Sequence, residues 1–343
     1  MQTVFISKLK VLLDAVAQEM ELIVPQKAVE HYIFVKYAPD LMKEIDFNNI
    51  RTCMPVKEFL FPALESAVSY PEVSKPQDIK AFAIFGLKEC DLRSIEVLDK
   101  VFVEDEFVDP FYVSRREKMF IISSDCTEPG ESCFCNISGG KGFADTGFDL
   151  NVSQIKNGFI IEAGSKKGEE FLEKHPQLFT DLPKAATDER DKNREQTQQQ
   201  LEKNNADLKF ELPIRKIVED SEDSDVFETE SKRCIECQAC TRVCPTCHCF
   251  YLYDNKRKGY FDKMKMWDSC MRMAYAAVAG GANPRKAISD RMQHRFLHKF
   301  VYFLDRYGLE MCIGCGRCVD ADAGGMDIRQ MLKGLNEEQK AKA

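Results

Sequence analysis

No apolar run in the chain approaches the ~18–20 residues that a helix needs to cross a bilayer. Positive charge is also scarce. The 48 Lys and Arg face 56 Asp and Glu, a formal net of −8. That balance argues against a nucleic-acid binder acting through a global basic field and leaves only a local patch. The five histidines show no paired metal spacing except His294 and His298. That pair lacks the Glu of a zinc-protease motif and reads as helix surface. There is no Walker loop, no GxGxxG and no GxSxG. GGKGFADTG (139–147) is glycine-rich but follows a loop, so it is discounted as a nucleotide site. The opening MQTVFISKLKVLLDAVAQEM carries Lys8, Lys10 and Asp14 inside its apolar pattern and has no small-residue cleavage site. It reads as an amphipathic helix and not as a signal peptide.

What remains is a 343-residue chain of ordinary globular composition, long enough for two or three domains. Its one extreme is cysteine. Fifteen are too sparse for a small disulfide scaffold and too many for a typical cytosolic enzyme. Without an export signal the thiols are expected to stay reduced, and clustered reduced thiols point to metal.

The cysteines divide the chain. Residues 1–165 read as an α/β domain. AFAIFGL (81–87), MFIISS (119–124) and FIIEAG (159–164) have strand length. DLRSIEVLDKVF (91–102) has a mostly helical spacing, with Asp91 as a candidate N-cap. Strand–helix–strand order suggests parallel pairing. Residues 166–232 read as a charged linker, helical or flexible. Its 187–209 segment fits a solvated helix or a disordered stretch, and its acidic run IVEDSEDSDVFETES (217–231) a solvated surface. Residues 233–343 read as an α-helical, ferredoxin-like 4Fe–4S dicluster domain. Within it, Ile288, Met292, Phe296, Phe300 and Phe303 share one helical face. Residues 250–308 hold twelve Lys and Arg against five Asp and Glu, an excess suited to steering an acidic carrier such as ferredoxin.

The metal reading rests on spacing. Cys234-x-x-Cys237-x-x-Cys240-x-x-x-Cys244-Pro245 is the pattern of a bacterial-type 4Fe–4S ferredoxin. Cys312-x-x-Cys315-x-x-Cys318 repeats the triplet, with Gly314 and Gly316 relieving crowding where backbone N–H groups approach sulfur. Zinc sites also use CxxC pairs, but rarely three cysteines at this spacing followed by CP. In a dicluster module the fourth Cys of a block serves the other cluster. Cys312, Cys315 and Cys318 therefore take Cys244. Cys234, Cys237 and Cys240 look for a donor four positions after Cys318, where Asp322 stands. A carboxylate is a harder and weaker donor toward a cluster than thiolate, so Cys270, Cys249 and Cys247 compete for that place. In the first half, Cys90 and Cys126 follow strand-like runs, at the sheet edge where open α/β folds bind ligands. Cys133 and Cys135 lie on the loop SDCTEPGESCFCNISGG. These four thiols are the number a third 4Fe–4S cluster needs. Cys53 reads as a buried small hydrophobe.

Several stretches together resemble a known family. They include PVKEFLFP (55–62), GLKECDLRSIEVLD (86–99), DPFYVSRRE (109–117), CFC (133–135), RCIECQACTRVCPTCHCF (233–250), WDSCM (267–271), HKF (298–300) and CIGCGRC (312–318). In this order they are similar to the iron–sulfur electron-transfer subunits of anaerobic sulfite reductases and to the beta subunit of cytoplasmic sulfhydrogenases. The resemblance implies a cytoplasmic, oxygen-sensitive complex. It also implies a flavoprotein partner that takes electrons from NAD(P)H, and a terminal reductase or hydrogenase at the other end. Asp322 and the missing proline after it depart from the pattern. The expected function is an electron-conducting subunit without catalytic residues of its own. The alternative is a catalytic subunit whose incompletely thiolate-ligated cluster binds sulfite or a disulfide directly.

Overall fold

Strand-length runs in the first half are apolar on successive residues, the pattern of a sheet covered on both faces. The computed structural model describes the chain apart from residues 1, 41–44, 46–50, 72–75, 77–78 and 343. It opens with β1 (Thr3–Ile6), α1 (Leu9–Glu19), β2 (Glu21–Ala28), β3 (His31–Lys36), β4 (Leu64–Tyr70) and β5 (Phe82–Leu87). Then come α2 (Glu89–Phe102), α3 (Pro110–Lys118), β6 (Met119–Ser124), β7 (Leu150–Ile155), β8 (Gly158–Ala163) and α4 (Lys166–Lys174). Seven strands form one sheet in the order β1-β8-β7-β6-β5-β2-β3.

Its centre, β2, β5, β6 and β7, is parallel. The expected parallel pairing fails for β8, which runs antiparallel to β7 and β1. The two-residue turn between β7 and β8 allows only a hairpin. The period of two sorts the side chains. Leu22, Val24, Ala83, Phe85, Phe120 and Ile122 meet α1 and α4 on one face. Ile23, Ile84, Met119 and Ile121 meet α2 and α3 on the other. Each such side chain, fully buried, stabilises by about 1.5–3 kcal/mol.

Three local expectations are corrected. The N-terminal stretch is a strand followed by a helix, because the β-branched Thr3, Val4 and Ile6 precede the helical pattern. Asp91 is not the N-cap of α2. It sits three residues inside, where its carboxylate accepts the N–H of Lys88 at 3.1 Å. Cys53 is half-buried, not buried.

Helix α5 (Ala186–Asn204) is polar over most of its length, with Ala186, Thr197 and Leu201 buried. It packs on β7 and on the turn Cys135–Ser138, held by polar contacts described below. Beyond it come two short helices, Ile214–Glu219 and Asp225–Ser231, then β9 (Phe250–Arg257) and β10 (Tyr260–Trp267). Helix α6 (Ile288–Leu297) runs into a π-helical turn at His298–Tyr302, and α7 (Ile328–Lys342) follows later. Met292, Phe296 and Phe300 turn inward toward Ile328, Met331 and Leu332. A second, antiparallel sheet has the order β4-β10-β9. One strand of the first half thereby pairs with β10 and joins a sheet with two strands of the last third, and Trp267 Nε1 donates to the Phe61 carbonyl at 2.9 Å.

Candidate metal centres

The carboxyl ends of β5 and β6 present the first group of thiols. Cys90 lies in the first turn of α2 and Cys126 just after β6, with Cys133 and Cys135 on the loop that follows. The Cys126 N–H donates to Gly142 O at 2.7 Å. A Cβ on Gly142 would stand 2.6 Å from Thr197 Cγ2. The glycine tract therefore wraps a cysteine loop and does not cradle a phosphate. Helix α5 clamps the same loop: Thr197 Oγ1 donates to Cys126 O at 2.9 Å, and Asn205 Nδ2 to Cys133 O at 3.0 Å. Arg194 Nε reaches Asp125 at 2.7 Å. Burial pushes the Cys126 thiol up to about 12, and the nearby Cys133 adds to it while Lys88 opposes it. Burial likewise raises Cys90 and Cys135, with Cys126 acting on both. The four thiols thus feel one another.

The second group is Cys244, Cys312, Cys315 and Cys318, which line one small cavity with Arg295 and Lys299. Lys299 stands in the π-helical turn, a distortion common at functional sites. Its Nζ lies 3.3 Å from Cys244 Sγ and 3.2 Å from Thr246 Oγ1. Burial works against the Lys299 charge, but Cys244, Cys247 and Cys312 outweigh it and hold it protonated. Burial raises the Cys312 thiol, and Lys299 and the Gly314 N–H oppose that rise. The glycines have a second role. Gly314 and Gly316 have φ of +65° and +74°, and Cβ atoms there would fall 2.5 Å from Phe134 O and 2.3 Å from Ser132 O. The loop is pressed onto the first-half cysteine loop, sealed by Phe134 N–H donating to Gly314 O at 2.8 Å. Beside it Arg317 donates to Asp91 at 2.7 Å, with both side chains 2% exposed.

In the third group, Cys234, Cys240 and Asp322 line one cavity walled by Met271, Met292 and Met331. Cys237 is exposed. Burial raises Cys240, eased by Arg295 and increased by Asp322. Asp322 Oδ1 accepts the N–H groups of Gly324 and Met326 at 2.9 and 3.1 Å. Neither Cys247, Cys249 nor Cys270 lines this cavity. Cys247 instead lies against Cys244, and Cys249 against Cys270 and Tyr275.

Among the described residues, no three or more His, Cys, Asp or Glu converge on a single metal ion. The surroundings nevertheless suit an anionic metal–sulfur group. Arg51, Arg291, Arg295 and Arg317 are buried, and each keeps at least one guanidinium N–H without a hydrogen-bond partner. Buried, unpaired N–H groups are costly. Cys133 and Cys315 act on Arg51, and Cys240 and Cys318 on Arg295. A cluster with four thiolates is an anion that would offset the cost of their burial, and proton release on metal binding would turn the raised thiols into thiolates.

The sequence reading missed these cations. The basic excess of 250–308 reads as a steering surface, yet Lys265, Arg291, Arg295 and Lys299 are buried. Their recurrence at 291, 295 and 299, one residue before Met292, Phe296 and Phe300, was a signal in plain view: a basic stripe beside an apolar one on a single helical face. His294 and His298 stack at 6.2 Å. Burial pushes His298 down to about 3, so it is a neutral packing residue and not exposed helix surface.

Residues 233–326 match the family model of a 4Fe-4S dicluster domain. Over 278 residues, 80% of each chain, the sequence is 32% identical to sulfhydrogenase 2 subunit beta of Pyrococcus furiosus.

Proposed function

The chain belongs to the sulfhydrogenase beta-subunit family, and from that premise we propose that it holds three 4Fe–4S clusters and passes single electrons between a flavoprotein and a terminal reductase or hydrogenase. It is an iron–sulfur electron-transfer subunit of a multi-subunit oxidoreductase. In this reading Cys90, Cys126, Cys133 and Cys135 hold one cluster, and Cys244, Cys312, Cys315 and Cys318 a second. Cys234, Cys237 and Cys240 hold the third together with Asp322. When bound, such a cluster accepts and returns one electron with little change of shape. The protein's part is electrostatic. Lys299, Arg295, Arg317 and Arg51 hold fixed positive charge beside the sulfurs, and Met271, Met292 and Met331 keep water from Cys240.

The observation that carries the reading is the set of buried, unpartnered guanidinium N–H groups around grouped thiols. The α/β unit 1–165, the segment 166–232 and the dicluster unit 233–343 are its working divisions. No helix among the described residues is long and apolar enough to cross a membrane, and the reading places the complex in the cytoplasm. The exposed remainder of the basic stretch supports an acidic partner, ferredoxin included.

Iron and sulfide analysis of anaerobically purified protein tests the count. About twelve irons per chain are expected, four per cluster. A value near eight that Cys133→Ser leaves unchanged would remove the first-half cluster. Asp322 favours a second reading, in which a weakly held iron meets substrate directly. Sulfite turnover by the isolated chain, abolished in Asp322→Cys, would select it.

A further inference from the structure

Two thiols share the apolar cluster around Met292 and Phe296 and line neither cluster cavity. Cys249 directly precedes β9, and Cys270 lies just beyond the end of β10. The two strands are paired antiparallel as far as Phe250 and Trp267. One more ladder bond, from Asp268 N–H to Cys249 O at 2.9 Å, carries the pairing past Trp267. The chain then turns at Cys270, two residues past the one that bonds Cys249.

The turn is heavily fixed. Asp268 Oδ1 accepts the Ser269 N–H at 2.8 Å and Arg272 Nε at 2.8 Å. Ser269 Oγ accepts the Met271 N–H at 3.1 Å and bonds Thr241 Oγ1 at 2.8 Å. Cys249, Cys270 and the Tyr275 hydroxyl lie close enough that each acts on the others' protons. Cys270 is buried in the apolar cluster of Met271, Met292 and Phe296, whereas Cys249 is half-buried at its margin.

We propose that Cys249 and Cys270 form a redox-active dithiol that exchanges with an incoming disulfide. The half-buried Cys249 is the attacking sulfur and the buried Cys270 the resolving one. This pairing matches the division of labour in thiol–disulfide exchange, where access decides which thiol attacks. Cys249 loses its proton and attacks one sulfur of R–S–S–R. The substrate S–S bond breaks, and the leaving thiolate takes up that proton. Cys270 then loses its proton and attacks the Cys249 sulfur, and the second R–S⁻ leaves and is protonated in turn. Two protein thiols are oxidised to one disulfide, and the substrate disulfide is reduced to two thiols. Tyr275 stands beside the attacking sulfur. The inference rests on the assignment of Asp322, and not Cys270, to the third cluster.

The test uses anaerobically purified holoprotein. It is incubated with glutathione and glutathione disulfide over a range of ratios, or with oxidised thioredoxin as a protein disulfide. The sample is acid-quenched, denatured and alkylated with N-ethylmaleimide, and its peptides are weighed. Cys249 and Cys270 should lose alkylation together in a linked peptide two hydrogens lighter, with iron content unchanged. Cys270→Ser should trap a mixed disulfide on Cys249, and Cys249→Ser should trap none. Reaction with both probes, or with thioredoxin alone, supports the dithiol and tells a small from a protein substrate. Both thiols staying alkylatable at every ratio with both probes would overturn it. So would iron loss from a folded Cys270→Ser protein, which would make Cys270 a cluster ligand. The iron count of the unmodified protein is measured separately, so failure of the three-cluster reading is distinguishable from failure of the dithiol.

Discussion

The loops Cys234–Cys240 and Cys312–Cys318 share one spacing and one backbone path but sit in different surroundings. Glu236 and Gln238 occupy the left-handed region, with φ of 56° and 63°, where the second loop has Gly314 and Gly316. A side chain there costs about 1–2 kcal/mol. The first loop tolerates the cost because its side chains reach outward, and Glu236 meets the buried Arg291 at 3.1 Å. The second loop cannot, because another backbone stands where a Cβ would go. Cation surroundings differ in the same sense. The second loop faces Lys299 and Arg317 and shares Arg295 with the first, whereas the first has Asp322 beside two of its three thiols. Spacing settles which thiols can gather, and packing settles what each group of thiols feels.

The largest way to break this contrast is to cut the second loop from the first half. Arg317→Met leaves Asp91 buried without its partner. Losing one member of a buried pair costs about 3–5 kcal/mol, so denaturant unfolding should show a loss of that size. Gly316→Ala should cost about 2–4 kcal/mol through left-handed strain and overpacking. Gln238→Gly, at the matching place in the first loop, should change stability by less than about 1 kcal/mol. Equal losses at the two sites would end the contrast.

Asp322 sharpens the comparison at the level of iron. Asp322→Ala should yield a 3Fe–4S signal by EPR on mild oxidation, and Asp322→Cys should suppress it relative to the unmodified protein. If Asp322→Ala changes neither EPR nor iron content, the carboxylate is no ligand. A further effect is electrical. Lys299→Met removes a positive charge beside Cys244, which makes adding an electron less favourable, so the potential should fall. A hydrogen bond to a charged group is worth about 1.5–3 kcal/mol, which is roughly 60–130 mV for one electron. A redox titration should show that fall in one cluster only. An equal fall in all three would place Lys299 in the general field of the protein.

The cysteine groups were legible because spacing is a local property. Grouping Cys90 with Cys126 needed only the rule that ligands gather at the carboxyl edge of a sheet. The cations were not legible, because Lys and Arg on an amphipathic helix ordinarily face water, and only tertiary packing turns Arg291, Arg295 and Lys299 inward. Stretches that carried the family resemblance gain physical roles here. Lys57 of PVKEFLFP donates to Cys247 O at 2.9 Å and to Thr241 O at 3.2 Å. Lys88 of GLKEC donates to Ser124 Oγ and Asp125 O at 3.0 and 3.1 Å. The clamp by α5 was unreadable for another reason: its contacts are polar and long-range, and neither hydrophobic periodicity nor propensity records them.

Strand β4 has a bearing on biogenesis. It is made early, yet its hydrogen-bonding partner β10 is made nearly two hundred residues later. Until then β4 presents a bare edge with Leu64, Val68 and Tyr70 exposed beside it, the kind of edge that invites sticking to other chains. The cysteine loop at Ser132–Cys135 waits in the same way for Gly314 and Gly316. A nascent chain therefore reaches its closed form only after residues 260–318 have left the ribosome. Iron that arrives before residues 312–318 are made would meet half-built sites.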